Sequence, residues 1–469
     1  MSRMHEIIEE AARRCLPDEN DIAKMDRLKS SLLKRSSNII WGMDLHIEII
    51  PEVVGSAAKN TYLKGADIDL FLLFPTDVDE KRTSDICFNI GKEILDEYTQ
   101  KYASHPYLSG SLDGVGVDVV WAYLVDSGEK IISAVDRTPF HTRYVNDKLT
   151  KTTQREVRLL KKFLKGVGLY SASLKIEGIS GYLTELFIIR FATLQGTIKA
   201  ISGWKKQTWL TLNGNPDENW ELYPNCNLVF IDPVDSKRNV AAALSNNNFF
   251  RLIAACTDFI DAPSIHFFYP VPFPEKTIHE LRDMQRERGT SLLSFEIPKP
   301  EVVDDILYPQ INKARTAFTN LLGNSGFEIL GCEVDVHAKP ETNGKSKETA
   351  GIITFIFELD RLELPEAEIH EGPWVYLSNS TGFLKKWNNS PNSLSIPYVE
   401  EGRWKVIKKR AHRNAPDVIK ANIPKIALGK DLDRTTKKRN VVRTGDEVIT
   451  QRLAKAIFKL FTKGEPWLR

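Results

Sequence analysis

Apolar residues in the first 150 positions change their spacing near residue 40. Before that point they recur every three or four residues, which predicts helices interrupted at Leu16-Pro17. After it, short runs of β-branched and aromatic residues predict strands over 46–50, 68–74 and 115–123. A helical spacing over 84–101 separates the last two strands. The pattern therefore predicts a compact mixed α/β domain over residues 1–150.

The middle of the chain has apolar residues at helical spacing. Phe187, Ile188 and Phe191 share one face of a predicted helix that begins at the N-cap Ser180. Helices are predicted over 152–165, 181–194 and 239–259. We therefore expect a mostly helical domain over residues 151–265.

Strand and helix patterns alternate again beyond residue 265. Strands are predicted over 292–297, 327–337 and 351–359, and a long helix over 301–322. The order β-α-β-β is typical of a ferredoxin-like or RRM-like α+β domain, which we expect over residues 266–385. A polar stretch over 339–348 predicts a surface loop. The expected fold class is thus multidomain, α/β followed by α+β.

Positive charge is concentrated near the end of the chain. The 469 residues include 64 Lys and Arg against 62 Asp and Glu, a net charge of +2 that taken alone argues against a nucleic-acid partner. Residues 403–443, however, hold 14 Lys and Arg against 3 Asp and Glu. We predict a basic tail region over 386–469, ending in an amphipathic helix over 446–463. A polyanionic partner fits this segregation, and a solvated charged face is the alternative.

The cysteines and the N-terminus restrict the cellular setting. The five cysteines are odd in number and form no C-x-x-C motif, so neither a disulfide framework nor a zinc site is indicated. Acidic residues occupy the N-terminal stretch where a signal peptide needs an apolar core, and no apolar run is long enough to span a membrane. We expect a cytoplasmic protein without membrane contact.

Three carboxylates mark the candidate chemistry. Asp67 and Asp69 lie two residues apart on a predicted strand and therefore share one face, while Asp118 is a lone acid in another apolar strand. Such carboxylates repel one another unless a divalent cation neutralises them, and oxygen ligands are those that Mg²⁺ prefers. Gly55-Ser56, upstream of the first strand, provides a glycine at which backbone N–H groups can approach a phosphate. These residues together predict nucleotidyl transfer with two metal ions.

A surface strand of alternating solvated acids after a Gly-Ser turn is the structural alternative. A second Gly-Ser pair, Gly110-Ser111, is followed by no Asp-x-Asp at comparable spacing, so we interpret it as a turn. The combination of Gly55-Ser56, two paired acids and a distant third acid favours the catalytic interpretation.

The same motifs resemble a known group of enzymes. Gly-Ser followed by Asp-x-Asp and a distant aspartate is similar to the DNA polymerase β nucleotidyltransferase superfamily. Three further stretches resemble the class I, archaeal-type CCA-adding enzymes, and in overall order the resemblance covers nearly the whole chain: 136–141 (DRTPFH), 177–186 (EGISGYLTEL) and 232–241 (DPVDSKRNVA). The resemblance implies addition of the 3′-terminal CCA to tRNA from CTP and ATP, without a nucleic-acid template and with release of pyrophosphate. It also implies two Mg²⁺ ions held by Asp67, Asp69 and Asp118, with Asp118 on the metal that activates the hydroxyl.

The resemblance also assigns binding residues around the three acids. Lys161 and Tyr170 would hold the triphosphate together with Ser56 and His141, and His105 would lie near the tRNA 3′ end. On the helix 152–165, an apolar face that includes Val157 and Phe163 is predicted beside a solvated or phosphate-facing basic stripe that includes Arg158. Lys161 lies between the two, where it can point into a cleft or extend its amine to solvent.

Arg238 is expected to begin a helix and, by resemblance, to contact the incoming base and tRNA phosphates. A structural salt bridge from Arg238 to Asp232 or Asp235 is the alternative. We expect Lys408, Lys409 and Arg410 to contact phosphates of the tRNA acceptor or T arm.

Two other functions remain open at this stage. A poly(A) polymerase or an oligoadenylate synthetase shares the Gly-Ser and Asp-x-Asp site and differs in its product. An RNA-binding protein that has lost catalysis is the second alternative, although all three acids are present. The sequence leaves a homodimer open.

Overall fold

The chain folds into two compact units. The computed structural model describes residues 3–102, 106–213, 219–337 and 351–469. One unit comprises Met1–Val271 with Glu465–Arg469, and the other comprises Pro272–Gly464. The domains predicted over 1–150 and 151–265 thus fall essentially within the first unit, and their division stays a prediction. His105 and the loop predicted over 339–348 lie outside the described residues.

A five-stranded mixed sheet forms the N-terminal part of the first unit. Its strands have the order β1-β2-β5-β4-β3, in which β2 and β5 are parallel and all other pairs are antiparallel. The elements are α1 (Arg3–Cys15), α2 (Glu19–Gly42), β1 (Ile50–Val54), α3 (Gly55–Ala58), β2 (Ile68–Phe74), α4 (Glu80–Ile94), β3 (Glu97–Tyr102), β4 (Pro106–Leu112) and β5 (Val115–Tyr123).

Helices form most of the rest of this unit. They surround a large apolar core. The predicted N-cap Ser180 is confirmed, because its side chain accepts a hydrogen bond from Leu183 N at the start of the helix that follows it. The elements are α5 (Thr138–Lys148), α6 (Lys151–Gly166), α7 (Gly181–Phe191), α8 (Leu194–Ser202), β6 (Thr208–Leu210), β7 (Leu228–Phe230) and α9 (Asn246–Asp261).

Several sequence predictions for this unit are wrong in detail. The strand predicted over 46–50 begins only at Ile50, because His46 has a φ of 50°, outside the extended region. The helix predicted over 84–101 ends at Ile94, and the chain continues as the edge strand β3. Gly110-Ser111 is not a turn but lies within β4. A Cβ atom on Gly110 would come 2.0 Å from the carbonyl oxygen of Glu97, so only glycine allows this strand pairing.

The apolar face of α6 is confirmed, but its basic stripe is not fully solvated. Val157 and Phe163 are fully buried, as predicted. Arg158, assigned from the sequence to the solvated stripe, is also buried; its Nε donates to the carbonyl of Tyr62 (3.1 Å) and its guanidinium lies over the Tyr62 ring. Arg238 also departs from prediction, because it precedes α9 by eight residues and lies in a turn.

A four-stranded antiparallel sheet organises the second unit. Its order is β14-β8-β10-β9, which is the order of a ferredoxin-like βαββαβ fold with β8 as the first strand. A separate three-stranded sheet, β11-β13-β12, is inserted after β10. The elements are α10 (Ile278–Arg288), β8 (Ser291–Pro298), α11 (Asp304–Asn324), β9 (Ile329–His337), β10 (Ile352–Leu359), β11 (Ala367–Trp374), α12 (Ser380–Trp387), β12 (Tyr398–Glu400), β13 (Arg403–Lys409), α13 (Ala415–Asn422), α14 (Lys430–Lys438), β14 (Val441–Thr444) and α15 (Ala454–Thr462).

The basic segment is an integral part of this unit rather than a tail. The ferredoxin-like prediction is confirmed, but its fourth strand is β14, which pairs with β8 from within the region predicted as tail. The helix predicted over 446–463 is shorter, Ala454–Thr462, and buries Ile457 and Phe461. The concentration of charge concealed the apolar residues of the segment, which include the runs 426–428 and 441–442.

No helix within the described ranges is long and apolar enough to cross a membrane.

Substitution of Ile457 by alanine tests whether the C-terminal segment is part of the core. Ile457 is fully buried in α15, so Ile457→Ala should lower the free energy of unfolding by about 2–5 kcal/mol. Lys455→Ala on the exposed face of the same helix is the control and should change it by less than about 0.5 kcal/mol. Thermal or denaturant unfolding measures both, and equal stability of the two variants would contradict the integration of this segment.

Candidate active site

Two of the predicted carboxylates lie side by side on parallel strands. Asp69 is the second residue of β2, and its register partner in β5 is Asp118; Asp67 lies one residue before β2. Loss of hydration raises the pKa of Asp69 to about 7, and the negative charges of Asp118 and Asp67 contribute to the rise. Lys59 and Lys161 oppose it. The two inner strands β2 and β5 therefore carry carboxylates that repel each other, and two lysines partly compensate their negative charge.

The side chains of Asp67 and Asp69 turn toward two different glycines. A Cβ atom on Gly116 would lie 2.0 Å from Asp67 Oδ1, and one on Gly55 would lie 2.1 Å from Asp69 Oδ2. Over the described ranges, no three His, Cys, Asp or Glu side chains lie close enough together to hold a metal ion. The expected meeting of all three acids at one point is thus absent from these side-chain positions, whereas the pairing of Asp69 with Asp118 is present.

The Gly55-Ser56 turn connects β1 to the site. Gly55 has a φ of +69°, in the left-handed region, and its N–H donates to Thr142 Oγ1 (3.3 Å). That N–H is therefore engaged with α5, and a phosphate contact at this turn stays a prediction. Ser56 is half-buried, and its carbonyl accepts a hydrogen bond from Thr61 N (3.0 Å). This bond brings Thr61 beside the turn.

Lys161 and Tyr170 converge at the N-terminus of α7. A Cβ atom on Gly181 would lie 3.0 Å from the Tyr170 hydroxyl and 3.9 Å from Lys161 Nζ. Lys161 is only 2% exposed, so the alternative in which its amine reaches solvent is wrong. Its Nζ donates to the carbonyl and the hydroxyl of Thr61 (both 3.0 Å) and to Glu185 Oε1 (3.3 Å). Burial lowers the pKa of Lys161 to about 8.

Glu185 is a fully buried acid that sequence reasoning assigned no function. Its Oε2 accepts from Lys59 Nζ (2.5 Å) and its Oε1 accepts from the hydroxyl of Thr61 (2.6 Å) as well as from Lys161. Burial alone would raise the pKa of Glu185, but the two lysines lower it overall, so the group is ionised. The sequence does contain a pattern that could have indicated Glu185: it is a lone acid in the largely apolar stretch 183–188, as Asp118 is in β5.

A second buried acid, Asp232, organises the other side of the site. Its Oδ2 accepts from Arg238 (2.8 Å) and lies 2.9 Å from His141 Nε2, while its Oδ1 accepts from the Tyr182 hydroxyl (2.9 Å). The rings of His141 and Tyr182 stack with centroids 3.8 Å apart. Lys59 Nζ lies 6.0 Å from the Tyr182 ring centroid, which connects this cluster to Glu185. The predicted residues His141 and Arg238 are thus brought together, through the salt bridge foreseen as the structural alternative for Arg238.

Desolvation lowers the pKa of His141 although Asp232 raises it in part. Asp232 itself keeps a lowered pKa: burial raises it, and His141, Val234 N and Arg238 outweigh that effect. Asp232 is therefore an ionised carboxylate, and its oxygens are engaged by the side chains of His141, Tyr182 and Arg238, which it orients.

Lys408, Lys409 and Arg410 lie in the other unit and have partners within it. Lys408 pairs with Glu368, Lys409 Nζ lies 3.9 Å from Glu366, and Arg410 donates to Glu368 (2.9 Å). Arg410 also donates to the carbonyl oxygens of residues 325 (2.7 Å) and 365 (3.0 Å). These cations therefore have roles in holding β11, β13 and their neighbouring loops.

Three consecutive segments of the chain match known protein families. Residues 51–141 match a nucleotidyltransferase domain, residues 155–269 match the second domain of tRNA nucleotidyltransferase, and residues 288–445 match the C-terminal domain of the CCA-adding enzyme. The CCA-adding enzyme of Thermoplasma volcanium is 36% identical over 418 residues, which cover 89% of each chain. The chain belongs to the CCA-adding enzyme family. Its first unit therefore contains a polymerase β-like nucleotidyltransferase domain.

Other CCA-adding enzymes align over nearly the full length. The enzyme of Archaeoglobus fulgidus is 33% identical over 454 residues, covering 96% of this chain and 97% of its own. The enzyme of Thermococcus kodakarensis is 34% identical and 94% of each chain is covered. The C-terminal domain match, 288–445, includes β14, in agreement with the place of this strand in the ferredoxin-like sheet.

Substitution of Gly55 tests the contact between the turn and Asp69. In Gly55→Ala the new methyl group would collide with Asp69 Oδ2, so we expect nucleotide incorporation to fall by about 10²-fold, as misplacement of a reacting group by about 1 Å can produce. Gly114→Ala is the matched control, because Gly114 also has a positive φ (72°) but no atom lies within 4 Å of the added methyl group. Steady-state incorporation and thermal melting compare the two. Equal activity losses in both variants would show that backbone strain, and not the contact with Asp69, causes the loss in Gly55→Ala.

Proposed function

We propose that this chain adds the 3′-terminal CCA to tRNA from CTP and ATP, without a nucleic-acid template. The family membership supports this activity, and the observation that carries it is the pairing of Asp69 with Asp118 beside the cluster of Lys161, Tyr170 and Glu185. Carboxylates for cations and a buried positive cluster for a triphosphate are the two parts that nucleotidyl transfer requires.

The acidic residues fit divalent cations. Burial raises the pKa of Asp69 and repulsion from Asp118 raises it further. A cation shared with Asp118 would relieve that repulsion, and the donors are all carboxylate oxygens, which suit Mg²⁺. We propose Asp67, Asp69 and Asp118 as the ligands, which requires the side chain of Asp67 to turn from Gly116. Two bound ions would acidify the tRNA 3′-hydroxyl and offset the charge of the leaving pyrophosphate.

The reaction transfers a nucleotidyl group. The tRNA 3′-hydroxyl gives up its proton to solvent and its oxygen forms a bond to the α-phosphorus of CTP or ATP. The bond from that phosphorus to the bridging oxygen breaks, and pyrophosphate leaves with the electron pair. Asp118 would hold the ion that activates the hydroxyl, a role that the resemblance to the family implies and that its pairing with Asp69 allows. Lys161, Tyr170 and Ser56 would bind and orient the triphosphate, with Lys161 acting through its positive charge because its three N–H groups already have acceptors.

The Asp232 cluster would orient the nucleotide. Asp232 accepts a hydrogen bond from Arg238 Nη1, and the other N–H groups of the guanidinium would donate to the base or to tRNA phosphates. His141, fixed by Asp232 and by stacking on Tyr182, would lie on the triphosphate side. A carboxylate that fixes both residues holds them in one geometry before the nucleotide binds.

The product distinguishes the proposed activity from its alternatives. Incubated with tRNA that lacks CCA and with both nucleotides, the protein should add CCA and stop, and a metal chelator should abolish incorporation until Mg²⁺ is restored. Asp118→Ala should lower kcat/KM by at least about 10²-fold, whereas Asp147→Ala, an exposed acid on α5, should not. Sequencing of the tRNA ends provides the measurement. An extended adenylate tail would identify a poly(A) polymerase, and absence of metal-dependent incorporation would indicate an RNA-binding protein.

For tRNA binding we propose a different surface from Lys408, Lys409 and Arg410. A groove of about 720 Å³ along α13 and α14 is lined by Lys420, Lys425 and Lys437 above apolar residues such as Ile423. None of these three lysines has an ion-pair partner within the described part of the chain, so their charges are available to phosphates of the acceptor or T arm. Lys408, Lys409 and Arg410 would contribute less binding free energy with a phosphate, because their ion pairs with Glu366 and Glu368 must first be broken.

Neutralisation of the groove lysines tests this surface. Lys420→Ala, Lys425→Ala and Lys437→Ala combined should weaken tRNA binding and reduce the slope of log K against log salt concentration by about 1 for each lost phosphate contact. Lys408→Ala with Lys409→Ala is the comparison and should have the smaller effect. Filter-binding titrations at several salt concentrations measure both. The reverse order of effects would restore the assignment made from the sequence.

A further inference from the structure

Glu185 joins the turn after β1 to the helix that carries Lys161. Lys59 and Thr61, which follow α3, both contact its carboxylate, and Lys161 reaches it from α6. Lys59 is 126 residues from Glu185 in sequence, and Lys161 is 24 residues away. One carboxylate therefore fixes two parts of the chain that approach the site from different elements.

The cluster has more positive than negative charge. Lys59 and Lys161 together carry +2 against −1 for Glu185, and all three side chains are buried. Both lysines act on Asp69, whose pKa they lower against the effects of burial and of Asp118. The excess charge is thus directed toward the carboxylates, where a triphosphate and its cations would lie.

A purely structural role does not account for this arrangement. Burial of three charges loses hydration free energy, and well-packed apolar residues often stabilise a core as well as a buried ion pair does. The second lysine is balanced in part by Asp69 and its neighbouring acids, and once cations neutralise those acids its charge, already held in place, becomes available to a polyanion.

We propose that Glu185 is a positioning residue for the nucleoside triphosphate: it holds Lys59 and Lys161 so that their charges face the phosphates. The inference rests on the proposed function. It adds Lys59 to the triphosphate site, and Thr61 as the residue that transmits the position of Glu185 to the Ser56 turn through its bond to the Ser56 carbonyl.

Kinetics of Glu185→Gln test the proposal. The amide keeps the size and one acceptor oxygen but removes the charge, so Lys59 and Lys161 repel each other. We expect KM for CTP and ATP to rise roughly tenfold or more, while KM for tRNA changes by less than about twofold. Glu185→Asp, which restores the charge with a shorter reach, should recover part of the loss.

The pH profile provides a readout that a structural role would not change. Lys161 faces Glu185 on α7, Lys59 after α3, Asp69 on β2 and Arg158 on its own helix. Burial lowers the pKa of Lys161 to about 8, with a contribution from Lys59 and Arg158, while Glu185 raises it. Removal of the Glu185 charge lowers it further. Because the protonated amine is the form that attracts phosphate, kcat/KM for the nucleotide should decline at a lower pH in Glu185→Gln than in the unsubstituted protein.

Glu156→Gln is the matched control. Glu156 is a largely buried acid in the same unit that pairs with Arg155 and accepts a bond from Leu194 N, away from the cluster. Its substitution should leave KM for the nucleotides and the pH profile unchanged, although it can lower the melting temperature.

The outcomes separate this inference from the proposed function. If the unsubstituted protein adds no CCA, the proposed function fails; if it does but Glu185→Gln retains its nucleotide KM and pH profile, only the positioning role is overturned. If Glu185→Gln does not fold, the double variant Lys59→Met/Glu185→Gln replaces it, because it restores the original net charge of the cluster. A nucleotide KM higher in that variant than in Lys59→Met alone supports the proposal, and equal KM values in the two variants overturn it.

Discussion

The parallel pairing of β2 with β5 is the constraint on which the site depends. It sets Asp69 opposite Asp118, and because side chains alternate along a strand, a shift by one residue would send one of the two acids to the other face of the sheet. Fully buried Leu70 and Val119, also register partners, oppose such a shift. The apolar core beneath the sheet therefore fixes the distance between two carboxylates that repel each other.

The first unit compensates this repulsion with charges taken from other elements. Asp69 and its neighbours are balanced in part by Lys59 and Lys161, which are in turn held by Glu185, while Asp232 collects His141, Tyr182 and Arg238. Each buried acid thus orients side chains that would otherwise have several accessible rotamers. Ordering them in the folded protein reduces the entropy that must be lost when the nucleotide binds.

Sequence patterns predicted best where one physical effect dominated. Apolar runs located β2 and β5 to the residue, and the lone acids within them identified Asp69 and Asp118. The edge strand β3 was missed because its residues are exposed and carry no alternation of burial. The orientation of Gly55 N–H toward Thr142, and the partners of Lys161 and Arg238, depend on contacts between residues far apart in sequence. Charge alone misled at the C-terminus, where the basic segment 403–443 supplies α13, α14 and β14 to the second unit and still contributes to its core.

The origin of the fourth strand has a consequence for how the second unit forms during synthesis. β8 and β10 are translated early, yet β14, which covers the other edge of β8, follows about 150 residues after β8 begins. Until then that edge presents unpaired backbone groups, to which a strand of another chain could add. Pairings of such long sequence separation also form slowly. The nascent enzyme is thus exposed to intermolecular strand addition until β14 has been synthesised, a period in which protection by a chaperone would be most useful.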